Sequence, residues 1–257
     1  MEYPEDFPVE KYLVWSKIST HKKRVILAKK IISEALALTD SWYVAFSGGK
    51  DSVAMAHLVN CLYPGIAMWS HKDDSDFPGE QEYIKMVSQK FGWKEKIVTS
   101  PVPVLDFIKQ NNIDVCDDVH SRTSELADAL FYKQVKEQER CFNGVFLGLR
   151  AEESPARRKN YYSRGALYSR KDGKRVCTPL ATWKGEDVFA YLVSNDIPIF
   201  EVYFKTKFVD GDPTKIRLDS YIPSSFSRKG NCVWLKYYYP ELFYKLAQIA
   251  PEVLQYA

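Results

Sequence analysis

Apolar residues along the chain occur either at the spacing of an amphipathic helix or in short uninterrupted runs. Residues 21–38 place apolar side chains at helical spacing with basic residues on the opposite face, which predicts an amphipathic helix. Short apolar runs at residues 42–46 and 66–69 are typical of buried strands. The same reasoning predicts strands at residues 96–99 and 144–148, and helices at residues 53–62, 80–91, 102–110, 121–139 and 184–195.

The alternation of these strands and helices determines the expected fold. Strands separated by helices of about ten residues or more indicate βαβ units and a parallel sheet. We therefore predict an α/β fold with a doubly wound, mostly parallel, five-stranded sheet of the Rossmann-like type. Ligands bind such sheets beyond the carboxyl ends of the strands. Polar segments follow Phe46, Trp69 and Gly148, so we expect these three segments to converge on one site.

The chain divides into three predicted regions. Residues 1–19 form an N-terminal arm with little pattern, residues 20–205 form the α/β domain, and residues 206–257 form a loop-rich C-terminal extension. The extension is rich in Tyr, Phe and Pro. We expect its aromatic residues between 237 and 244 to form a small second cluster packed on the domain, with Pro240 in the first turn of a helix.

Composition adds information mainly through the cysteines and through the lack of long apolar segments. The chain has 257 residues, of which 46% are hydrophobic, and its formal charge of +3 is too small to indicate a partner. The five cysteines include no closely spaced pair, which argues against a disulfide framework, a four-cysteine zinc site and an iron–sulfur cluster. We find no signal peptide and no run as long as a membrane span, so we expect a cytoplasmic location without membrane contact.

A glycine pair lies between the strand predicted at residues 42–46 and the next helix. The segment reads Ser47, Gly48, Gly49, Lys50, Asp51 and Ser52. Glycines permit a tight turn that points several N–H groups at one ligand, and the helix adds its unpaired first-turn N–H groups and its dipole. The segment therefore predicts a phosphate-binding loop with Lys50 and the serines as donors, rather than a plain turn. Asp51 would repel a bare phosphate, so we expect it to hold Mg²⁺ or to orient the loop.

This loop and two later segments resemble one protein superfamily. SGGKDS after an apolar strand resembles the loop of the PP-loop ATP pyrophosphatases, the adenine nucleotide alpha hydrolase-like superfamily. GLRAEESPAR at residues 148–157 resembles the G-x-R-x-x-E-S-x-x-R of its phosphoadenosine phosphosulfate (PAPS) reductase-like family. PLATW at residues 179–183 and DVFAYL at 187–192 resemble a further segment of that family. The resemblance spans residues 25–205 and implies a HUP-type fold that binds an adenine nucleotide.

Charged side chains near the predicted strand ends are candidates for the nucleotide site. Arg150 and Arg157 follow a strand, and a planar guanidinium matches phosphate or sulfate oxygens. Glu153 is expected to orient an arginine or to ligate a metal. Asp74 lies with other acids near His71 in the loop after the second strand, where we expect contact with the ribose or a metal. A solvated turn is the alternative for these acids.

The resemblance implies an enzyme that cleaves ATP between the α and β phosphates with Mg²⁺, adenylates an acceptor and releases pyrophosphate. Its expected catalytic residues are Lys50, Asp51, Arg150 and Glu153. One alternative is a sulfonucleotide reductase or sulfurtransferase that binds 3′-phosphoadenosine 5′-phosphosulfate in the same loop. Another is a nucleotide-binding subunit of a nucleic-acid modification system, without turnover of its own. The oligomeric state is open between a monomer and a homodimer.

A sulfonucleotide reductase requires a nucleophilic thiol. The C-terminal sequence PEVLQYA lacks the E-C-G-x-H-type segment of PAPS reductases, so the reductase chemistry does not carry over directly. Cys232 is the candidate thiol because Arg228 and Lys229 would lower its pKa, and Cys177 is a weaker candidate. Burial as a small hydrophobic residue is the alternative for both. Because Cys232 stands alone, we expect no iron–sulfur cluster there.

Basic residues are concentrated in residues 150–175. This segment carries nine lysines and arginines against three acids. Such an excess attracts polyanions, and the interleaved Tyr161, Tyr162 and Tyr168 are available to stack on bases, so one interpretation is a nucleic-acid acceptor. The other interpretation is a mobile loop that closes over the nucleotide with its charges in water.

Overall fold

A six-stranded sheet lies at the centre of the chain. This computed structural model describes residues 3–39, 41–116, 136–137, 139–218, 220–222 and 231–257. The strands are β1 (Trp42–Ala45), β2 (Ala67–Lys72), β3 (Lys94–Thr99), β4 (Gly144–Phe146), β5 (Leu167–Ser169) and β6 (Arg175–Cys177). Their order across the sheet is β3-β2-β1-β4-β6-β5, and neighbouring strands are parallel except for β5 with β6.

The strand order reverses direction between β1 and β4. The chain proceeds outward from β1 through β2 to β3, and then returns to form β4 on the other side of β1. In open α/β sheets such a switch point leaves a crevice at the carboxyl ends of the two strands, where ligands bind. The residues that follow β1 and β4 therefore lie at the edge of the sheet where a ligand site is expected.

Helices precede, connect and follow the strands. They are α1 (Val9–Lys17), α2 (Ser19–Leu36), α3 (Lys50–Leu62), α4 (Glu80–Phe91), α5 (Val104–Gln110), α6 (Pro155–Arg164), α7 (Gly185–Ser194), α8 (Asn231–Tyr238) and α9 (Pro240–Ala247). Short 3₁₀ helices lie at Ala151–Glu153, Glu201–Phe204, Pro213–Lys215 and Pro251–Tyr256. Among the described helices, none is long and apolar enough to cross a bilayer.

The side chains of β1 alternate between two apolar clusters on opposite faces of the sheet. Trp42 and Val44 belong to the large core that also buries α2, α3 and α7. Tyr43 belongs to a smaller cluster with Trp69 of β2 and Val145 of β4. Aromatic and β-branched side chains favour this half-buried pleated environment, which explains why the apolar run forms a strand.

Asp187 of α7 joins the N-terminal helices to the domain. Its carboxylate is fully buried, and it accepts hydrogen bonds from Trp15 Nε1 at 3.0 Å and from Arg24 at 2.6 Å. His21 Nδ1 lies 3.0 Å from the same carboxylate. Burial alone would raise the pKa of Asp187, but these donors and the backbone N–H of Lys184 hold it below its ordinary value. Asp187 is therefore a buried carboxylate that is neutralised by α1 and α2.

The α/β class and the mostly parallel sheet are confirmed, with six strands where the sequence predicted five. The basic segment 150–175 contains α6 and a β5–β6 hairpin, not the loop that was one interpretation. Each strand of that hairpin has only three residues, so no apolar run marks it in the sequence. The N-terminal arm contains α1, in which Tyr12 is fully buried. The helix predicted at residues 121–139 lies almost entirely outside the described residues.

The buried aromatic residues of the C-terminal extension join the large core and do not form the expected second cluster, whereas Tyr237 and Tyr244 are exposed. Phe243 is fully buried in that core, and Tyr239 packs against it. Trp234 lies edge-on to Phe77 with ring centroids 5.9 Å apart. Helix α9 begins at Pro240, as the sequence predicts. The extension is therefore part of the same apolar unit as the sheet.

Candidate nucleotide site

The loop between β1 and α3 forms the base of the site. Phe46 donates its N–H to the carbonyl of Trp69 at 2.8 Å, which holds the end of β1 beside β2. Gly48 has a φ of 73°, and a Cβ there would lie 2.7 Å from Cγ1 of Ile84. Only glycine combines this left-handed backbone with so close an approach to α4. Helix α3 then begins at Lys50 without a side-chain cap.

Two serines brace the loop from within. The hydroxyl of Ser52 donates to the carbonyl of Gly49 at 2.9 Å and accepts from the N–H of Ser47 at 3.3 Å. The N–H of Gly49 donates to the hydroxyl of Ser47 at 3.4 Å. In the described part of the chain, the N–H groups of Gly48, Asp51 and Ser52 have no acceptor. Unpaired N–H groups at the start of a helix are a binding site for an anion such as phosphate.

Lys50 is buried behind the loop and contacts the C-terminal part of the chain. Its Nζ donates to the carbonyl of Ile216 at 3.0 Å, and lies 3.2 Å from Oδ2 of Asp51 and 5.0 Å from the ring centre of Tyr203. Its backbone N–H donates to the hydroxyl of Tyr203 at 2.9 Å. The two groups of Lys50 that the sequence assigns to phosphate are thus both held by residues from 203 to 216.

Asp51 and Arg150 form a buried ion pair that links α3 to the residues after β4. Nε of Arg150 donates to Oδ1 of Asp51 at 2.5 Å, and another guanidinium nitrogen contacts Glu152. Burial alone would raise the pKa of Asp51, but the charges of Lys50 and Arg150 outweigh that effect and hold the pKa below its ordinary value. The site therefore holds an ionised carboxylate between two cations.

The contacts of Asp51 do not fit a Mg²⁺ ligand. One carboxylate oxygen is bound by Arg150 and the other lies beside Lys50, whereas Mg²⁺ requires oxygens that no other cation occupies. No group of three or more His, Cys, Asp or Glu side chains within the described ranges is arranged to hold a metal. These contacts correspond to the other predicted role of Asp51, which is to orient the loop.

Glu153 holds both arginines of the predicted motif. Its Oε2 accepts from the N–H of Arg150 at 2.9 Å and also contacts the guanidinium of Arg157. Ser154 caps α6 by accepting the N–H of Arg157 at 3.1 Å. The carbonyl of Glu153 accepts from Arg217, again a residue of the C-terminal extension. The Arg157 side chain is 39% exposed and remains accessible at the crevice.

Gly148 fixes the distance between the end of β4 and the first turn of α3. A Cβ at this position would lie 2.9 Å from the carbonyl carbon of Asp51 and 2.9 Å from the nitrogen of Ser52. Because those atoms belong to the backbone, they cannot move aside without displacing the loop. The glycine therefore brings Arg150 within reach of Asp51.

Asp74 lies at the start of α5 and its carboxylate is engaged there. Its two oxygens accept from the N–H groups of Val104 at 2.6 Å and Leu105 at 3.4 Å. Unpaired first-turn N–H groups attract a carboxylate, which explains this position. The structure therefore gives Asp74 a capping contact, and its expected contact with the ribose or a metal stays a prediction.

Asp76, in the same acidic loop, leads to a prediction about pH. Burial, followed by the charge of Asp73, raises the pKa of Asp76 from 3.8 to about 6. The folded chain therefore binds this proton more tightly, so the contribution of Asp76 to stability is largest below pH 3.8 and is lost as the pH rises through about 6. Asp76→Asn keeps an oxygen acceptor for Gln81, whose Nε2 donates to Asp76 Oδ2 at 2.7 Å.

We expect Asp76→Asn to raise the urea midpoint at neutral pH, because it removes a charge that the fold disfavours. The variant should also show a weaker decrease of stability between pH 3.8 and about 6 than the wild-type chain. Urea titrations across this range measure both effects. If the stabilities of the variant and the wild-type chain changed equally with pH, the raised pKa of Asp76 would be contradicted.

A cavity of about 240 Å³ opens beside Arg150 at the same edge of the sheet. Part of its lining is Leu149, Ala156, Arg157, Asn160, Tyr161 and Thr178. Mostly apolar walls with a few polar groups are typical of small-molecule pockets. Since Arg150 contacts both the cavity and Asp51, the cavity adjoins the phosphate loop.

A sequence model of a known protein family matches the part of the chain that forms this site. The model of the phosphoadenosine phosphosulfate reductase domain matches residues 41–237, which include the loop, both arginines and the contacts of Lys50. This chain belongs to the phosphoadenosine phosphosulfate reductase domain family. The family resemblance inferred from the three sequence motifs is therefore confirmed.

Solved structures with the same fold include members of two enzyme groups. PAPS reductase from Candida auris, in a phosphate complex, is 13% identical with a TM-score of 0.54, covering 78% of this chain and 91% of that chain. FMN adenylyltransferase from Candida glabrata, in complex with ATP, is 14% identical with a TM-score of 0.53, covering 82% of this chain and 68% of that chain. Yeast FAD synthetase with FAD is 11% identical with a TM-score of 0.52, covering 78% of this chain and 70% of that chain. No curated protein matches the chain.

The five cysteines of this family member, all in the described residues, present no exposed thiol at the phosphate loop. Cys116, Cys177 and Cys232 are buried. Cys61 is exposed near the end of α3, and Cys141 is exposed shortly before β4. Helix α3 returns from the carboxyl edge of the sheet toward the start of β2, so both exposed thiols lie at the amino edge, opposite the loop.

Cys232, the candidate nucleophile, has the environment of a packed hydrophobic residue. It is fully buried in the large core, and burial raises the pKa of its thiol. Burial likewise raises the pKa of the Cys177 thiol. Arg228 and Lys229, which were expected to lower the pKa of Cys232, lie outside the described residues. The positions of both cysteines agree with the alternative interpretation, in which each is a small buried hydrophobic residue.

Sequence reasoning missed the segment from Tyr203 to Arg217, which contacts the phosphate loop at several points. Ile216 acts through its backbone carbonyl, which any residue possesses, so no side-chain pattern marks it. Tyr203 is one of many aromatic residues in this region and carries no motif. The only usable signal for Tyr203 was its position near the end of residues 25–205, which resemble the family.

Proposed function

We propose that the chain transfers the adenylyl group of ATP to an acceptor and releases pyrophosphate. An acceptor oxygen attacks the α-phosphorus, and the bond between that phosphorus and the oxygen bridging to the β-phosphate breaks. Pyrophosphate leaves with the electron pair of that bond, and the acceptor proton passes to solvent. One observation carries this proposal: unpaired loop N–H groups, Arg150 and Arg157 meet at one crevice where no thiol is exposed.

In this proposal the loop N–H groups bind the β and γ phosphates, because a helix start offers unpaired donors and a favourable dipole. Lys50 reaches the same oxygens when its Nζ exchanges the carbonyl of Ile216 for phosphate. Arg157, which is partly exposed, binds the anion on the side of α6. Charges fixed before the reaction stabilise the negative charge that develops on the leaving pyrophosphate.

Reduction of a sulfonucleotide is the second candidate function. The name of the matched family and the fold of the Candida auris PAPS reductase favour it. It requires a thiolate that reaches the sulfur of the bound nucleotide. The buried Cys177 and Cys232, with their raised pKa values, count against that chemistry.

Calorimetry with ATP and with 3′-phosphoadenosine 5′-phosphosulfate distinguishes the two candidates. We expect ATP to bind more tightly, and the variant Lys50→Met to weaken its binding roughly 10–100-fold, because a charge-assisted contact is lost while the buried volume is kept. The matched control is Lys96→Met on the edge strand β3, where the side chain is exposed. This control should bind ATP as the wild-type chain does.

Release of pyrophosphate from bound ATP is the direct readout of the proposed reaction. Tighter binding of the phosphosulfate, together with loss of turnover in Cys232→Ser, would replace adenylyl transfer by reduction. Failure of both nucleotides to bind would refute the assignment of the loop itself.

A further inference from the structure

We propose that α6, together with the adjacent cavity, binds single-stranded nucleic acid. Helix α6 reads PARRKNYYSR, with four basic residues and no acid, and none of its residues is buried. A helix normally packs one apolar face on the core, whereas α6 leaves its whole length accessible. This helix therefore presents a basic surface directly beside the candidate nucleotide site.

The positive charges of this surface are only partly compensated. Arg157 pairs with Glu153, but Arg158 and Lys159 are exposed and form no ion pair with any described acid. At 1.5 Å per residue the helix is about 15 Å long, so its charges extend further than one phosphate group reaches. Several cations on one exposed helix beside a nucleotide site match the repeated phosphates of a polymer.

Aromatic side chains on the same helix indicate that the bound nucleic acid has unpaired bases. Tyr162 is 79% exposed and contributes to neither apolar cluster. Tyr161 lies next to it, with ring centroids 5.7 Å apart, and also lines the cavity. Arg164 lies over the ring of Tyr168 at 5.0 Å, which adds another planar pair at the end of the helix. Bases of a single strand stack on such rings, whereas a duplex presents only base edges.

The cavity accommodates one ring system at the end of this surface. Asn160 and Thr178, two uncharged polar residues of its lining, offer hydrogen bonds to a base edge, and Leu149 and Ala156 offer apolar contact. Its volume of about 240 Å³ is below that of pockets for drug-sized ligands. A single base inserted here would lie beside Arg150, and therefore beside the proposed adenylyl transfer site.

An anionic membrane surface is less suited to the same charges. A membrane-bound helix needs a continuous apolar face for the acyl region. Apart from its two tyrosines, α6 offers only Pro155 and Ala156 as apolar side chains. The bound nucleic-acid strand would also be the acceptor of the adenylyl group, and this step rests on the proposed function. The binding of the nucleic acid to α6 does not depend on that function.

Fluorescence anisotropy without ATP tests the binding surface. The probes are one labelled sequence as single-stranded RNA and as DNA, its duplex, and phosphatidylserine vesicles. We expect the single strands to bind best, and Arg158→Gln/Lys159→Gln to reduce the slope of log K against log salt by about 1.4, at about 0.7 per phosphate contact. The matched control Lys94→Gln/Lys96→Gln removes the same charge on β3, at the opposite edge of the sheet.

Stacking is tested by Tyr162→Ala, which should weaken single-strand binding at least about fivefold. Tyr63→Ala is its control, since Tyr63 is exposed at the amino edge, after α3. Equal losses in test and control variants, preference for duplex or vesicles, or no binding would each overturn the proposal. Pyrophosphate release is measured separately. Binding of the single strand without pyrophosphate release supports the binding surface on α6 and counts only against adenylyl transfer. Release with small acceptors and no strand binding overturns only this inference.

Discussion

Replacing Asp187 by alanine is expected to lower the free energy of unfolding by about 3–5 kcal/mol. The carboxylate is fully buried and is the shared acceptor of Trp15, His21 and Arg24. Without it, the guanidinium of Arg24 remains beside the core without its counter-charge, and two ring N–H groups lose their acceptor. Removing one partner of a buried pair costs more than the pair itself contributes, because the remaining charge stays desolvated.

Urea denaturation at neutral pH measures this loss. Glu34→Ala is the matched control, because Glu34 is an exposed acid whose Oε1 lies 3.8 Å from Nζ of Lys30, and its removal should change stability by no more than about 0.5 kcal/mol. The low pKa of Asp187 gives a second check. Its contribution is present above the unfolded pKa and disappears as the pH falls through the lower folded value. A small decrease in the free energy of unfolding at neutral pH would show that Asp187 does not hold the N-terminal helices on the domain.

Replacing Arg150 by alanine is expected to lower pyrophosphate release from ATP about 10²–10³-fold, on the proposed function. Arg150 is 3% exposed and neutralises Asp51 at the start of α3. Without the guanidinium, Asp51 would retain only Lys50 and Glu153 only Arg157 as a counter-charge, so more negative charge would face the bound phosphates. The rate should therefore decrease through both ATP binding and the chemical step.

Two comparison variants separate charge from geometry at this position. Arg150→Lys keeps one positive charge but loses the planar donors, so we expect partial recovery of ATP binding and little recovery of the rate. Arg157→Ala removes a partly exposed arginine and should have a smaller effect. Thermal unfolding with and without ATP shows whether each variant is folded when it is assayed. Wild-type rates in folded Arg150→Ala would remove this residue from the proposed mechanism.

The conformation of the loop after β1 was predictable from sequence because the residues that determine it are local. Six consecutive residues, which join an apolar run to the first turn of a helix, determine both the turn at Gly48 and the unpaired N–H groups. The crevice was predictable as well, because parallel strands place their carboxyl ends on one edge. Arg150 and Glu153 follow from a strand end in the same way.

The partners of these residues were not predictable, because they are distant in sequence. Lys50 bonds to Ile216 across 166 residues, and no periodicity specifies such a contact. The capping contact of Asp74 was not predictable, because a helix start and a nucleotide both attract a carboxylate, and only the position of α5 distinguishes them. Cys232 could be placed only by knowing that α8 packs into the core.

The position of Asp187 also constrains the order in which the chain folds during its synthesis. Trp15 and Arg24 leave the ribosome 172 and 163 residues ahead of the carboxylate that they require. Until α7 is made, α1 lacks the helix that it mainly packs against, and an isolated helix of nine residues is marginally stable in water. Helix α1 therefore completes its packing only after the sheet has been translated, and chaperones can bind it during that interval.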